Sequence, residues 1–469
     1  MQIDLDKELY RFNGQHPFTI RQACEGVQIF GGIGSGKTSG SGAGLARAFL
    51  RGGFGGLVLC AKNDEVETWK AYAKETGRQN DLVIFDTDGD WMFPFLHYEM
   101  TRPGKGAGFT ENVVRLFMTV HEALSRRSGG GGDPYWTSAM QQLIRNAVDL
   151  SIMATGSVSV PLMYDIVRSA PQTLEQKADP EWKANSKCCE LLVQGNFKPL
   201  DRWAKFDFDA AASFWLREFP SISPKTRSGI ISMFTTTADC FMRRPFRQLF
   251  SEVPENLDQI CYPEFSQEGV IIILNLPVKE FGDAGRAAQV VYKYMWQQAT
   301  ERRNVKEHPR PVFLWVDEAQ NFVTDYDMHF QATARSSRAC TVYLTQNKPN
   351  YYAELGGEGS RARVDSLIGN LQTKIFHANS DPETNNYAAE VIGKSWQTRK
   401  GDSMNFGGES LSMGSNRSES FDYDCPPQLF TRLPKGGPEN GNTVGGIVFQ
   451  NGRTWGGNET FLFATFKQQ

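Results

Sequence analysis

Short apolar runs recur along the chain, each bounded by turn residues. They are Val27-Gln28-Ile29-Phe30, Leu57 to Cys60, Leu82 to Phe85, Val270 to Leu276, Val312 to Val316, Thr341 to Leu344 and Thr373 to Phe376. Most lack the in-out alternation of a half-exposed sheet, so they predict strands of a parallel sheet covered by helices on both faces. Between the first few, the chain is helical in pattern or glycine-rich, as βαβ crossovers require. From Lys105 to Pro245 the pattern changes to helical periodicity, at Glu111 to Leu124, Trp136 to Met153, Glu181 to Gln194 and Thr226 to Met242. This predicts an α/β nucleotide-binding domain split in two, residues 1–104 and 246–469, around an all-α inserted domain, residues 105–245. Ser128 to Asp133, with four consecutive glycines, and Ser221 to Pro224 read as mobile loops. Lys400 to Ser420, rich in Gly, Ser and Asn, reads as a flexible loop or linker. Strand-like pieces return at Gly446 to Phe449 and Phe461 to Phe466.

Composition narrows the class. The 469 residues are 40% hydrophobic and 12% aromatic, which excludes a disordered chain. The formal charge is -3, so contact with nucleic acid has to be concentrated on local basic loops. No apolar run approaches the roughly 18 residues of a membrane helix. The first residues, MQIDLDKELYRF, have no apolar signal core. The eight cysteines include no C-x-x-C pair and read as reduced thiols of a cytoplasmic protein, without structural zinc.

The chemistry is concentrated at three strand ends. Gly31-Gly32-Ile33-Gly34-Ser35-Gly36-Lys37-Thr38 matches the phosphate-binding pattern G-x-x-x-x-G-K-[ST], follows a strand, and is continued by a helix from Ser39. Such a loop turns backbone N–H groups onto phosphates, with Lys37 bridging the terminal pair and Thr38 ligating Mg²⁺. This predicts ATP and Mg²⁺ as ligands. The strand Val312 to Val316 ends in Asp317-Glu318. Asp317 is expected to hold Mg²⁺ and Glu318 to orient and deprotonate the attacking water. The strand Thr341 to Leu344 leads to Gln346, placed to sense the terminal phosphate. Arg335 and Arg338, in ATARSSRA, are candidates for a guanidinium supplied across a subunit boundary. Asn347-Lys348-Pro349-Asn350 nearly matches a guanine-reading motif but ends in Asn, where a carboxylate is needed, so a GTPase is disfavoured.

Together the pieces FGGIGSGKTSG, LVLCAKNDEVETW, DPYWTSAMQQLI, SPKTRSGIISMF, VIIILNLP, VFLWVDEAQNF and CTVYLTQNKPNYYAELGG, then LIGNLQTKIF, resemble the TraG/TraD-type coupling proteins of type IV secretion. That family belongs to the HerA/FtsK group of P-loop motors. The resemblance implies a RecA-like fold with an inserted all-α domain, a homo-hexameric ring with ATP sites at subunit boundaries, and DNA in or near the channel. It also implies Arg335 as the arginine finger, with Arg338 second. The family's Asp-Pro-Lys-Gly-Glu-like segment reads Cys60-Ala61-Lys62-Asn63-Asp64-Glu65 here, which leaves the role of Lys62 open. Family members commonly begin with membrane-spanning helices. Here the phosphate loop starts at Gly31, so a naturally soluble member, a shortened chain and a relative with another role all stay open.

The expected activity is an ATP-driven translocase for DNA, or a DNA–protein conjugate, in conjugation or type IV secretion. Its partners would be relaxase-type or effector proteins and membrane-bound channel components, reached at the inner membrane. Basic loops at Arg126 and Arg127, Lys225 and Arg227, and Arg243, Arg244 and Arg247 are the expected DNA contacts. Two alternatives are a secretion or assembly ATPase acting on protein, and a HerA-like defence ATPase working with a nuclease.

Overall fold

The computed structural model describes residues 3–125, 134–199, 201–357, 359–407 and 410–468. The strands are β1 (Glu8–Phe12), β2 (His16–Thr19), β3 (Val27–Phe30), β4 (Gly55–Leu59), β5 (Leu82–Phe85), β6 (Ile271–Leu274), β7 (Val312–Val316), β8 (Ala339–Thr345), β9 (Thr373–Phe376), β10 (Lys394–Gly407), β11 (Ser410–Tyr423), β12 (Thr443–Gln450) and β13 (Phe461–Lys467). Nine of them form one sheet in the order β13-β12-β9-β3-β8-β7-β4-β6-β5. From β9 to β5 every neighbouring pair is parallel, and β12 and β13 close one edge antiparallel. The central strands are buried at every position, which is why they read as continuous apolar runs.

Each face of the sheet has its own core. One joins Phe49, Trp69, Phe313 and Trp315 under the helices Ala43–Arg51 and Glu65–Glu75. The other joins Phe30, Leu59 and Phe85 to Phe117, Leu143, Trp215 and Phe234. This second core runs without a break from the sheet into the helices between β5 and β6. Those helices include Thr110–Ser125, Pro134–Thr155, Val160–Ser169, Lys187–Phe197, Arg202–Ser213 and Pro224–Asp239. The predicted helix over Glu181 to Gln194 is two, Pro180–Asn185 and Lys187–Phe197, because Ser186 caps the second by accepting from Cys189 N–H.

Three sequence expectations change. Lys400 to Ser420 is not a loop: β10 and β11 pair along their whole length, from Lys394↔Tyr423 to Gly407↔Ser410. A two-stranded ribbon has two open faces and needs no apolar run, so its composition hides it. Ser221 to Pro224 is pinned, not free. Arg227 is buried and donates to the carbonyls of Ile222 (2.7 Å) and Pro220 (3.2 Å), so it is unavailable to DNA. The hairpin β1–β2 was not predicted, although its turn carries Asn13 and Gly14 at φ 51° and 69°, a strong hairpin signal.

Arg126, Arg127 and the Ser128 to Asp133 loop lie outside the described residues. Lys225, Arg243 and Arg244 are exposed, with Arg243 paired to Asp239 and Arg247 to Glu252. All eight cysteines are free thiols, and the described residues hold no cluster of metal-ligating side chains. Among the described residues no single helix is long and apolar enough to cross a membrane.

The helix Val278–Arg302 is tied to the layer behind β7 by a buried ion pair between Lys293 and Asp327. Asp327 also accepts from Tyr343 Oη (2.6 Å) and Gln297 Nε2 (2.7 Å). Burial alone raises the Asp327 carboxyl pKa, but Lys293, Tyr343 and the Thr324 N–H outweigh it and hold it below the usual value. Asp327→Ala strands the ammonium in the core and is expected to cost about 3–5 kcal/mol in urea unfolding. The double variant Lys293→Met/Asp327→Leu is expected to lose clearly less; an equal loss would contradict the ion-pair account.

Candidate functional site

The parallel strands place their C-terminal ends on one edge, where β3, β8, β7 and β4 deliver their motifs side by side. The phosphate loop leaves β3 between its neighbours. Gly31 N–H donates to Thr345 O (3.2 Å) and Gly32 N–H to Ala378 O (2.9 Å). Two glycines are forced by crowding. A Cβ on Gly31 would stand 2.3 Å from Ser35 Oγ; one on Gly36, at φ +80°, would stand 2.3 Å from Val444 Cγ2. Ser35 Oγ is buried against Gly31 without a hydrogen-bond partner. Thr38–Gly42 then winds as a π-helical turn before the α-helix Ala43–Arg51, so the loop opens onto a helix N-terminus.

The acidic pair meets this loop directly. Thr38 Oγ1 donates to Asp317 Oδ2 at 2.8 Å, and Asp317 Oδ1 accepts from Glu318 N–H at 2.8 Å. Glu318 sits in the left-handed region at φ 50°, a conformation costly for a side chain and common where a site demands it. Its Oε1 lies 3.7 Å from Lys37 Nζ and 3.3 Å from Lys62 Nζ, and its Oε2 accepts from Gln320 Nε2 at 2.9 Å. Gln320 is oriented in turn by Thr345 Oγ1 (2.8 Å). Burial raises the Glu318 carboxyl pKa, but Gln320 and the two ammoniums outweigh it and keep it below the usual glutamate value. The carboxylate is therefore ionised at neutral pH, as a water-orienting base requires.

Gln346 follows β8 and lines the same cavity of about 640 Å³ as Gly34, Lys37, Lys62, Glu318 and Gln320. Ile33 caps that cavity, 81% exposed. Ser39 lies on the other side of the loop, where its Oγ accepts from Gln468 Nε2 (2.6 Å). Thr38 Oγ1 and Asp317 Oδ2 are two hard oxygen donors already within contact, which fits a shared Mg²⁺.

Arg335 is not at this edge. It precedes β8, so the strand's whole length separates it from its own phosphate loop, about 20 Å at the rise of a strand. It is 60% exposed and 3.3 Å from Glu25 Oε1. Arg338 is a staple: at φ 51° it donates from Nη1 to Pro309 O (2.7 Å) and accepts at its carbonyl from Val312 N–H. Of the two, Arg335 is exposed and Arg338 half-buried. Asn347 caps the helix Lys348–Leu355 by accepting from Asn350 N–H (2.9 Å), so the near-match to a guanine motif is a helix start.

Of this neighbourhood, the sequence left the role of one residue open and gave no sign of another. Lys62, left open there, reaches Glu318. His377, at the end of β9, is fully buried beneath the phosphate loop. Its Nδ1 lies 2.8 Å from Gly445 O and its Nε2 2.7 Å from Ser41 Oγ. Burial pushes its pKa down to about 4, so the ring is neutral, donating from Nδ1 and accepting at Nε2. A position facing the P-loop helix from a neighbouring strand leaves no local sequence pattern.

Residues 311–434 match a family model described as the TraM recognition site of TraD and TraG. Among solved structures, the chain resembles the bacterial conjugative coupling protein TrwBdeltaN70 in an unbound form, at 13% identity and TM-score 0.56, covering 100% of this chain and 90% of that one. It resembles the plasmid coupling protein TrwB in complex with the non-hydrolysable ATP analogue ADPNP at 12% and 0.61, covering 99% and 90%. VirB4 of Thermoanaerobacter pseudethanolicus matches at 11% and 0.50, covering 100% and 98%. At these identities the likeness is one of fold, which is the RecA-like α/β fold with a mainly parallel sheet. No curated protein sequence matches the chain.

The neutral His377 makes the P-loop scaffold acid-sensitive. A histidine held near 4 when folded and near 6.5 when unfolded takes up its proton first in the unfolded chain. Its contribution is intact above about pH 6.5 and lost progressively down to about pH 4. Urea unfolding at pH 7 and pH 5 is expected to show a smaller loss for His377→Asn than for the wild type. The same pH dependence in both would refute the assignment.

Proposed function

We propose, for a chain of the TraG/TraD type built on the coupling-protein fold, an ATP-hydrolysing motor that couples or translocates DNA, or a DNA–protein conjugate, in conjugation or type IV secretion. The observation that carries this is the joining of Lys37, Thr38, Asp317 and Glu318 at one sheet edge. In this reading the loop from Gly31 to Ser39 holds the phosphates on backbone N–H groups, and Lys37 neutralises the terminal pair. Thr38 and Asp317 hold Mg²⁺, which supplies charge neutralisation on the phosphate oxygens. Glu318 orients the attacking water and takes its proton. Gln346 contacts the terminal phosphate or its water from the tip of β8.

Arg335 acts in trans. Its exposed place at the far edge of the sheet supports a ring in which each subunit's N-terminal sheet edge faces the next subunit's site, as a homo-hexamer would arrange it. TrwB has been solved with ADPNP and with ADP and Mg²⁺, which supports the same ligands here. The chain divides into the motor, residues 1–104 and 246–469, and the helical insert, residues 105–245. The segment matching a TraM recognition site supports docking of relaxosome-type proteins, which would bring the motor to the cytoplasmic side of a secretion channel at the inner membrane. A protein-threading role is favoured by a different observation: Phe197, Trp203 and Phe206 stand more than 70% exposed on the helical insert, in a chain of charge -3.

Glu318→Gln is expected to bind ATP within about twofold of wild type while turnover falls by about 10³ or more. Turnover by wild type with single- and double-stranded DNA then separates the substrates; no stimulation by either in an assembled oligomer argues for protein cargo. Arg335→Ala is expected to lower turnover by about 10³ with nucleotide affinity unchanged. Arg338→Ala should instead lower the melting temperature, and an unchanged rate in Arg335→Ala would remove it from the mechanism.

A further inference from the structure

Lys62 lies on the loop leaving β4, and that loop is held from behind. Gln289, fully buried, accepts from Cys60 N–H (2.9 Å) and donates to the carbonyls of Cys60 (2.9 Å) and Leu276 (2.7 Å). The backbone is thus fixed while the Lys62 side chain, 33% exposed, keeps room to move. Its ammonium and that of Lys37 converge on the same oxygen, Glu318 Oε1, at 3.3 and 3.7 Å. Both line one wall or the other of the cavity that Gly34 and Gln346 also border.

Two ammoniums on one carboxylate oxygen exceed what orienting Glu318 requires, since Gln320 already holds its other oxygen. The carboxylates of Asp317 and Glu318 are faced by Lys37 and Lys62, and Glu65, whose carboxyl is pushed well up by burial, stands beside Lys62. A magnesium nucleoside triphosphate brings further negative charge into this cleft, and a second ammonium beside Lys37 lowers the electrostatic cost of holding it. A lysine suits that task because its compact charge rides on a flexible stem and can change anionic partner without moving the backbone. Burial disfavours the Lys62 ammonium, but Asp317 and Glu318 outweigh it and hold its pKa above the usual value, so the charge is present.

We propose that Lys62 is a second lysine for the terminal phosphate of a nucleoside triphosphate, exchanging the Glu318 carboxylate for that phosphate and so freeing Glu318 to hold water. The inference rests on the ATP-site reading above. It assigns a γ-phosphate-specific role to a residue that a merely structural salt bridge would not have.

The test is equilibrium binding of fluorescent ADP and of a fluorescent non-hydrolysable ATP analogue, each with Mg²⁺, to wild type, Lys62→Ala and Lys62→Arg, with ATP turnover alongside. Lys62→Ala is expected to weaken the ATP analogue about tenfold and ADP by less than about twofold, with turnover falling at least as far as analogue affinity. Lys62→Arg is expected to recover most of the discrimination. Equal weakening of both nucleotides, or of neither, overturns the proposal and leaves Lys62 a structural partner of Glu318. If wild type binds and hydrolyses ATP and only the discrimination in Lys62→Ala is unchanged, the role of Lys62 alone falls. A wild type that binds neither nucleotide overturns both readings.

Discussion

The hydrogen bond from Thr38 to Asp317 joins residues 279 positions apart, and the rest of the site is arranged around it. It exists because β3, β8 and β7 are parallel neighbours, so the loops that follow β3 and β7 emerge on the same edge with β8 between them. Parallel pairing demands crossovers, and the crossovers supply the helices that bury both faces of the sheet. A buried sheet then fixes the two oxygen donors. Glu318 is positioned by the same constraint: two residues beyond the strand, it is driven into the left-handed region and its carboxylate turned toward Lys37.

The opposite edge of the sheet has other work. There Arg338 ties the start of β8 to Pro309 and Val312, and Arg335 stands out beside Glu25. A residue that cannot reach its own phosphate loop, yet is exposed, suits a contact with a neighbouring copy. The antiparallel strands β12 and β13 serve the site edge instead. Val444 fills the space beside Gly36, Gly445 accepts from His377, and Gln468 reaches Ser39. The phosphate loop is therefore braced by chain that lies more than 400 residues after it in sequence, and its geometry depends on the C-terminal hairpin being in place.

The parallel strands were legible because burial on both faces leaves unbroken apolar runs, as in Val312 to Val316. The phosphate loop and acidic pair were legible because their chemistry demands fixed residue types next to a strand. Long-range partners were not. Gln320 and His377 each act through a neighbour brought in by the fold, and no spacing rule announces them; Lys62 was singled out, but its pairing with Glu318 was not. The ribbon β10–β11 was missed for a different reason: its stability as a ladder rests on backbone pairing, and its Gly/Ser/Asn composition imitates a linker. Arg227 misled in the opposite sense, since a basic residue near a turn looked like a surface charge and is a buried clamp on three backbone carbonyls and Gln172.

The central claim is that one chain holds the phosphate loop and the acidic pair while a second chain completes the site. ATP turnover per chain, followed across protein concentration with the assembly state weighed in the same samples, tests it most directly. The account predicts that monomers bind ATP but turn over slowly, and that the rate per chain rises in step with assembly. A monomer that hydrolyses at the full rate, or an assembled ring that hydrolyses no faster than its monomers, would contradict it.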